Sequence, residues 1–336
     1  MHIFIFSAYG GEYMNHKEIA ENAIKQYNIN VCSMDFIAQS GSTIYKVKSA
    51  SGDDYCLRLY ASVNNALGEE WTSRQSINSM LQWTHALSKD KPNITIPCPV
   101  LNASNELITN IDGMLCTVEN WLEGEQKPYF VTEQDAANVG ILLAHLHEHA
   151  SSWKIPKNFQ RPSFDSNCIN ETLAALEKTS LDFSKDCINA LKLGANKVIE
   201  LLNTYERTSK TWGIIHADII PPNLLYYENE IRPIDFGACG LGHFLWDIAT
   251  TMPFVPLQYR EILLNAYSTV FSLPDNYIEL IEGFFIACRL QVLGFFINLP
   301  DAADWVPDEY EKLYQRELGR YLRGESFLYQ GTPYYA

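Results

Sequence analysis

Residues 213–247 read GIIHADIIPPNLLYYENEIRPIDFGACGLGHFLWD. Within them His216, Asp218 and Asn223 form an H-x-D-x-x-x-x-N loop, and Asp235-Phe236-Gly237 follows, with Asp235 seventeen residues after Asp218. Phosphoryl transfer asks for a carboxylate to orient the attacking hydroxyl and for a divalent cation to neutralise phosphate charge. Asp218 suits the first task, and Asn223 and Asp235 are hard oxygen donors of the kind Mg²⁺ prefers. Either motif alone carries little, because most carboxylates near a turn cap a helix or face water. Their order and spacing, with a strand-like run over residues 230–234 leading into the second, carry the reading.

The loop is His216-Ala217-Asp218 followed by Pro222-Asn223. It resembles the H-G-D-x-x-P-x-N form of the aminoglycoside phosphotransferase and choline kinase-like superfamily more than the His-Arg-Asp form of protein kinases. The run from Cys239 to Asp247 is similar to the branch of type II homoserine kinases and bacterial stress-response Ser/Thr kinases. The resemblance spans nearly the whole chain. It implies an α+β, protein-kinase-like, two-lobed fold: a small antiparallel β-rich amino-terminal lobe over residues 1–120 that binds nucleotide, and a larger helical lobe over residues 121–336 that carries the catalytic loop and acceptor site.

The amino-terminal signals fit that frame. Residues 16–27 have the pattern of an amphipathic helix, and residues 36–49 and 54–60 read as strands joined by a turn at Ser51-Gly52-Asp53-Asp54. The first of these runs contains Gln39-Ser40-Gly41-Ser42-Thr43, a hairpin tip whose backbone N–H groups suit phosphate. Within the resemblance, Ser40, Gly41, Ser42 and Thr43 cover the nucleotide, and Arg58 holds the α- and β-phosphates where protein kinases use Lys. A helical region over residues 65–88 is expected to supply a carboxylate partner for Arg58. Its landmark residues Trp83 and Leu87 place Met80 at that position; Glu69 or Glu70 is the alternative, or no pair forms, and the partner stays unassigned. Strands are expected at 106–109 and 113–121, and the second ends at an interlobe hinge where backbone groups around Glu119 and Trp121 would meet the adenine edge.

From Thr132 the chain turns helical, with Thr132 and Asp135 forming a capping-box start. His145, His147 and His149 resemble a metal cluster, but residues two apart on a helix face different ways, and His147 reads as structural. Residues 170–178, 185–209, 259–271 and 277–298 read as further helices. A last one starts near Pro307 and stops at Gly324. His216 is expected to brace the catalytic loop, and Asp247 to anchor that loop or a helix terminus.

Composition closes off other classes. The chain has 336 residues, 47% hydrophobic and 12% aromatic, which is enough to bury a sizeable core. Its 25 basic and 40 acidic residues give a net charge of −15, which argues against nucleic acid and against an anionic membrane surface. The same charge is compatible with a cationic substrate. None of the eight cysteines stands in a C-x-x-C pair, so a zinc ribbon or redox dithiol is not expected; reduced thiols and a cytoplasmic location are. Residues 1–8 are too short for a signal segment, and the apolar tract 277–299 carries Glu279, Glu282 and Arg289, as a buried helix would. Nothing in the sequence indicates an oligomer. The expected activity is an ATP- and Mg²⁺-dependent transfer of the γ-phosphate to a hydroxyl of a small molecule such as an amino alcohol or amino sugar. A Ser/Thr protein kinase stands second. A nucleotide-binding pseudokinase, suggested by Met80 and Arg58, stands third.

Overall fold

Residues 42–60 and 114–120 alternate apolar and polar side chains, which is the pattern of strands with one face buried. The computed structural model describes residues 16–39, 41–60, 68–130 and 132–330. In chain order they form α1 (His16–Ile24), β1 (Val31–Gln39), β2 (Ser42–Ser49), β3 (Asp54–Tyr60), α2 (Glu69–Thr72), α3 (Arg74–Asp90), β4 (Thr109–Ile111), β5 (Met114–Asn120), α4 (Glu133–Ser152), β6 (Ser163–Phe164), α5 (Ser166–Lys178), α6 (Lys185–Thr204) and β7 (Trp212–Ile215). These are followed by β8 (Leu224–Tyr227), β9 (Glu230–Pro233), β10 (Gly240–His243), α7 (Phe244–Thr251), α8 (Leu257–Ser268), α9 (Tyr277–Phe296), α10 (Ala302–Leu313) and α11 (Gly319–Arg323). The fold is α+β, with an antiparallel sheet in the amino-terminal part and helices dominating the rest.

Two compact units divide the chain. The first takes residues up to Gln126 together with Lys154–Pro162 and Pro222–Ala238; the second takes Lys127–Trp153, Ser163–Pro221 and the chain from Cys239 onward. Asp218 therefore belongs to the second unit, and Asn223 and Asp235 belong to the first.

In the first unit the sheet order is β1-β2-β3-β5-β4, antiparallel throughout. Tyr45, Val47, Leu57, Leu59, Cys116 and Val118 share one face and pack against Ile19, Ala20, Ala23 and Ile24 of α1. Burying each large aliphatic side chain there contributes about 1.5–3 kcal/mol. Strand register sends Ser42, Lys46, Cys56, Arg58, Thr117 and Glu119 to the opposite face. The alternation that builds the core thus also puts Ser42, Arg58 and Glu119 of the nucleotide reading on one surface.

The helical region expected at 65–88 is broken in the structure: α2 and α3 meet at Ser73, which is extended (φ −62°, ψ 151°) and caps α3 by accepting from the Ser76 N–H at 3.2 Å. Residues 61–67, where that region was expected to begin, lie outside the described ones.

In the second unit the Thr132–Asp135 capping box is present: the Asp135 N–H donates to Thr132 Oγ1 at 3.0 Å, and the Thr132 N–H to Asp135 Oδ2 at 3.1 Å. Helices α4 and α8 touch so closely that a Cβ at Gly140 would run into the Leu263 carbonyl oxygen. A short sheet, β6-β10-β7, had no sequence signal strong enough to expect. Strand β4 begins at Thr109, three residues later than the expected start at 106, and α6 stops at Thr204 where the pattern suggested 209. Pro307 does not open the last helical region; α10 starts at Ala302 and carries Pro307 inside. That region does end as expected, with Gly324 in the left-handed conformation (φ 73°). No helix among the described residues is long and apolar enough to cross a membrane.

Candidate active site

In the second unit the loop that carries Asp218 hangs from one carboxylate. Asp247 lies in the first turn of α7 and is fully buried. Its Oδ2 accepts the His216 N–H at 2.9 Å, and its Oδ1 accepts the Ala217 N–H at 2.5 Å. Ala217 sits at φ 64°, a left-handed conformation that costs a non-glycine residue about 1–3 kcal/mol. Two charge-assisted hydrogen bonds at that point offset such a cost. His147 completes the arrangement: its Nε2 is 3.2 Å from Asp247 Oδ2, its Nδ1 is 2.9 Å from the Tyr267 hydroxyl, and its ring stacks on Phe244. His147 is thus structural, as its place on the helix suggested. Further along the loop, the Asp218 N–H donates to His216 Nδ1 at 3.3 Å, and Thr251 Oγ1 donates to the Ile219 carbonyl at 2.8 Å. Both ends of α7 therefore hold the chain on either side of Asp218.

In the first unit a hairpin brings Asn223 and Asp235 together. Strands β8 and β9 pair antiparallel from Leu224↔Pro233 to Tyr227↔Glu230, and the Ile234 N–H extends the ladder to the Asn223 carbonyl at 2.9 Å. Residues twelve apart in sequence, Asn223 and Asp235, are brought to the same end of one hairpin. Asp235 is itself left-handed (φ 58°), and its Oδ1 accepts the Gly237 N–H at 3.3 Å. Its side chain is 48% exposed and lies 3.9 Å from Arg58 Nη1. The same Arg58 nitrogen donates to Ser42 Oγ at 3.0 Å. Two oxygen-donor side chains at one hairpin end, one of them open to solvent beside a guanidinium, fit a hydrated divalent cation and its phosphate ligands.

Electrostatics reinforce this cluster. Burial works against the charge of Arg58, but Asp235, Tyr60, Cys56 and Glu119 together outweigh it and hold the guanidinium above its ordinary value. Burial pushes the Glu119 carboxyl up, Arg58 pulls it down, and Asp235 adds to the rise. Burial likewise lifts the Cys56 thiol to about 11, which makes it a poor nucleophile.

Other expected residues fall elsewhere. Ser40 lies outside the described residues. Gly41 is exposed at the hairpin tip. Thr43 turns to the α1 side, where its Oγ1 is 3.0 Å from His16 Nδ1. The Trp121 N–H donates to the Asp54 carbonyl at 2.9 Å, and the Asn120 N–H to the Cys98 carbonyl, so these hinge donors are engaged within the protein. The Trp121 ring lies under the Lys46 ammonium at 4.6 Å.

Two contributors escaped the sequence reading. Among the described residues no helix carboxylate pairs with Arg58; Met80 is buried on α3, and the acids near Arg58 are Asp235 and the strand residue Glu119. For Glu119, the alternation that puts it on the Arg58 face across β3 and β5 was the available signal. Arg161, from the stretch before β6, is buried and hydrogen-bonds the Gly237 carbonyl. No motif or periodicity marks it.

A family model described as "Phosphotransferase enzyme family" matches residues 37–277. No curated protein matches the chain. Among solved structures, a microcompartment-associated aminopropanol kinase is similar at 22% identity, with 93% of this chain and 99% of that chain covered and a TM-score of 0.75. An amicoumacin kinase, solved with AMP-PNP and Ca²⁺, is 17% identical over 89% of this chain and 92% of that one, with a TM-score of 0.72. A Plasmodium vivax ethanolamine kinase is 17% identical over 83% and 80%, with a TM-score of 0.54. At these identities the likeness shows a shared fold.

Proposed function

The chain belongs to the phosphotransferase enzyme family, and on that premise we propose that it transfers the γ-phosphate of ATP to a hydroxyl of a small molecule: an amino alcohol, an amino sugar or a related metabolite. The observation that carries this is the hairpin that brings Asn223 to Asp235 beside Arg58. Asn223 and Asp235 would hold Mg²⁺, which when bound would neutralise phosphate charge. Arg58, oriented by Ser42, would hold the non-transferred phosphates with its planar fork.

Asp218 would accept a hydrogen bond from the acceptor hydroxyl and take its proton as the new P–O bond forms and ADP leaves. The loop that presents it is already fixed through Asp247 and Thr251, so little ordering entropy remains to be lost on reaching the transition state. His216 braces that loop; its ring nitrogen binds the Asp218 amide.

A small acceptor is favoured over a protein side chain by one feature. Cys239 alone separates the turn at Phe236–Ala238 from β10, and α7 begins directly after β10. A protein kinase needs a long segment in that position to seat an extended peptide. Aminopropanol, amicoumacin and ethanolamine kinases share the fold, and they supply the first compounds to try.

The test is an ATP-consumption screen across amino alcohols, aminoglycosides and generic protein substrates, run with and without Mg²⁺. Mg²⁺-dependent turnover with a small hydroxyl compound is the expected result. Turnover confined to protein acceptors would move the assignment to the protein-kinase reading, and nucleotide binding with no transfer to any acceptor would favour the pseudokinase.

A further inference from the structure

We propose that Arg161, on an irregular strap, is a positioning residue for the metal-binding carboxylate Asp235. The inference rests on the reading of Asp235 as a metal ligand. Residues 158–161 run along α3 within the first unit: Gln75 Nε2 donates to the Asn158 carbonyl, the Gln160 N–H donates to Ser79 Oγ at 2.9 Å, and Arg161 Nη1 donates to Ser76 Oγ at 2.8 Å. The Arg161 guanidinium also lies 5.2 Å from the centre of the Trp71 ring of α2.

From that anchorage Arg161 Nη2 donates to the carbonyl oxygen of Gly237. The N–H of the same glycine binds Asp235 Oδ1 at 3.3 Å. A continuous chain of contacts therefore runs from Ser76 through Arg161 and Gly237 to the carboxylate. Phe236 is held in parallel by Trp83 of α3, ring centroids 5.5 Å apart. Asp235 needs such support because its backbone is left-handed, a conformation that a non-glycine residue keeps only when its surroundings impose it. Guanidinium geometry matters, since one planar fork serves Ser76 and Gly237 at once and a lysine ammonium is a single point donor. Among the described residues no helix carboxylate reaches Arg58, so α3 meets the metal-ligand turn through Arg161 and Trp83.

The readout is metal linkage of nucleotide binding, measured by isothermal titration of ADP into the full chain with Mg²⁺ and with EDTA. The wild type is expected to bind ADP more tightly with Mg²⁺, and Asp235→Asn to lose that gain. Arg161→Gln is expected to lose about tenfold of the gain while its affinity in EDTA stays within about twofold of wild type, and Arg161→Lys is expected to fall between them. An Arg161→Gln protein that keeps the whole Mg²⁺ gain overturns the proposal. So does one whose EDTA affinity falls as far as its Mg²⁺ affinity, because Arg161 would then support the unit as a whole. If Arg161→Gln does not fold, Ser76→Ala carries the test, with a two- to threefold loss of the gain in favour and an unchanged gain against. An Asp235→Asn protein that keeps the gain sinks the metal assignment itself, which separates that failure from failure of the Arg161 proposal.

Discussion

At the residue scale, Asp247 concentrates more structural consequence than any acid with a chemical role. It is fully buried, accepts two amides of the catalytic loop and faces His147. Leaving a buried hydrogen-bonding group without its partner costs about 1–3 kcal/mol, and removing Asp247 strands the His216 and Ala217 amides. Asp247→Ala is expected to destabilise the second unit by that order in chemical denaturation, and to release Ala217 from its left-handed conformation. A variant as stable as wild type would show that the loop holds itself.

His243 makes a separate prediction about pH. Burial against Tyr205, Trp212 and Phe284 drives its imidazole down, the Thr211 carbonyl opposes, Arg207 adds to the fall, and the result is about 4. The folded value lies below the ordinary one. Stability from the neutral ring is therefore complete above about pH 6.5 and is lost as pH falls from there toward 4. Between about pH 7 and pH 4.5 the wild type is expected to lose about 2 kcal/mol more than His243→Phe. Parallel pH–stability curves for the two proteins would contradict this.

Asp218, Asn223 and Asp235, read as base and metal ligands, stood out in the sequence because their spacing is local: they lie within eighteen residues. The environment of Arg58 was not. Its neighbouring acid Glu119 comes from a strand sixty-one residues away, and only pairing register brings the two together. Arg161 sits in an irregular stretch, where nothing in composition distinguishes a buried clamp from a surface arginine.

At the element scale, the β8–β9 hairpin does the work of a bracket. It needs only a two-residue connection, Glu228-Asn229, with Glu228 in the left-handed region. Strand β9 was readable from its approach to Asp235, whereas β8 was not, because Leu224-Leu225-Tyr226-Tyr227 shows no alternation. The contact between α4 and α8 was equally hidden, since Gly140 looks like any tolerated helix glycine until its backbone neighbour is known. Gly140→Ala is expected to cost about 1–3 kcal/mol or more, since the added methyl meets backbone and not a side chain that can swing away. A neutral substitution at that position would mean that the two helices separate freely. Helix boundaries failed where local chemistry overrode periodicity: Ser73 caps and restarts the helix, and α10 absorbs Pro307.

At the scale of the whole molecule, the residues read as nucleotide and metal contacts belong to the first unit and the base to the second. A ligand that binds only the folded form stabilises it by about 2.7 kcal/mol at a hundredfold excess over Kd. ATP with Mg²⁺ is therefore expected to raise the melting temperature, and Asp235→Asn to remove the part that Mg²⁺ adds. Against the net charge of −15, Arg58 supplies a local positive charge beside Asp235. Melting curves that ignore ATP altogether would remove the nucleotide reading.

The most direct measurement is a rapid-quench single turnover with ATP, Mg²⁺ and the best acceptor from the screen, comparing wild type with Asp218→Ala. Loss of a positioned base lowers the transfer step by about 10²–10⁴-fold, and that fall is expected with the fold and ATP affinity retained. A near-wild-type transfer rate in Asp218→Ala would contradict the account at its centre.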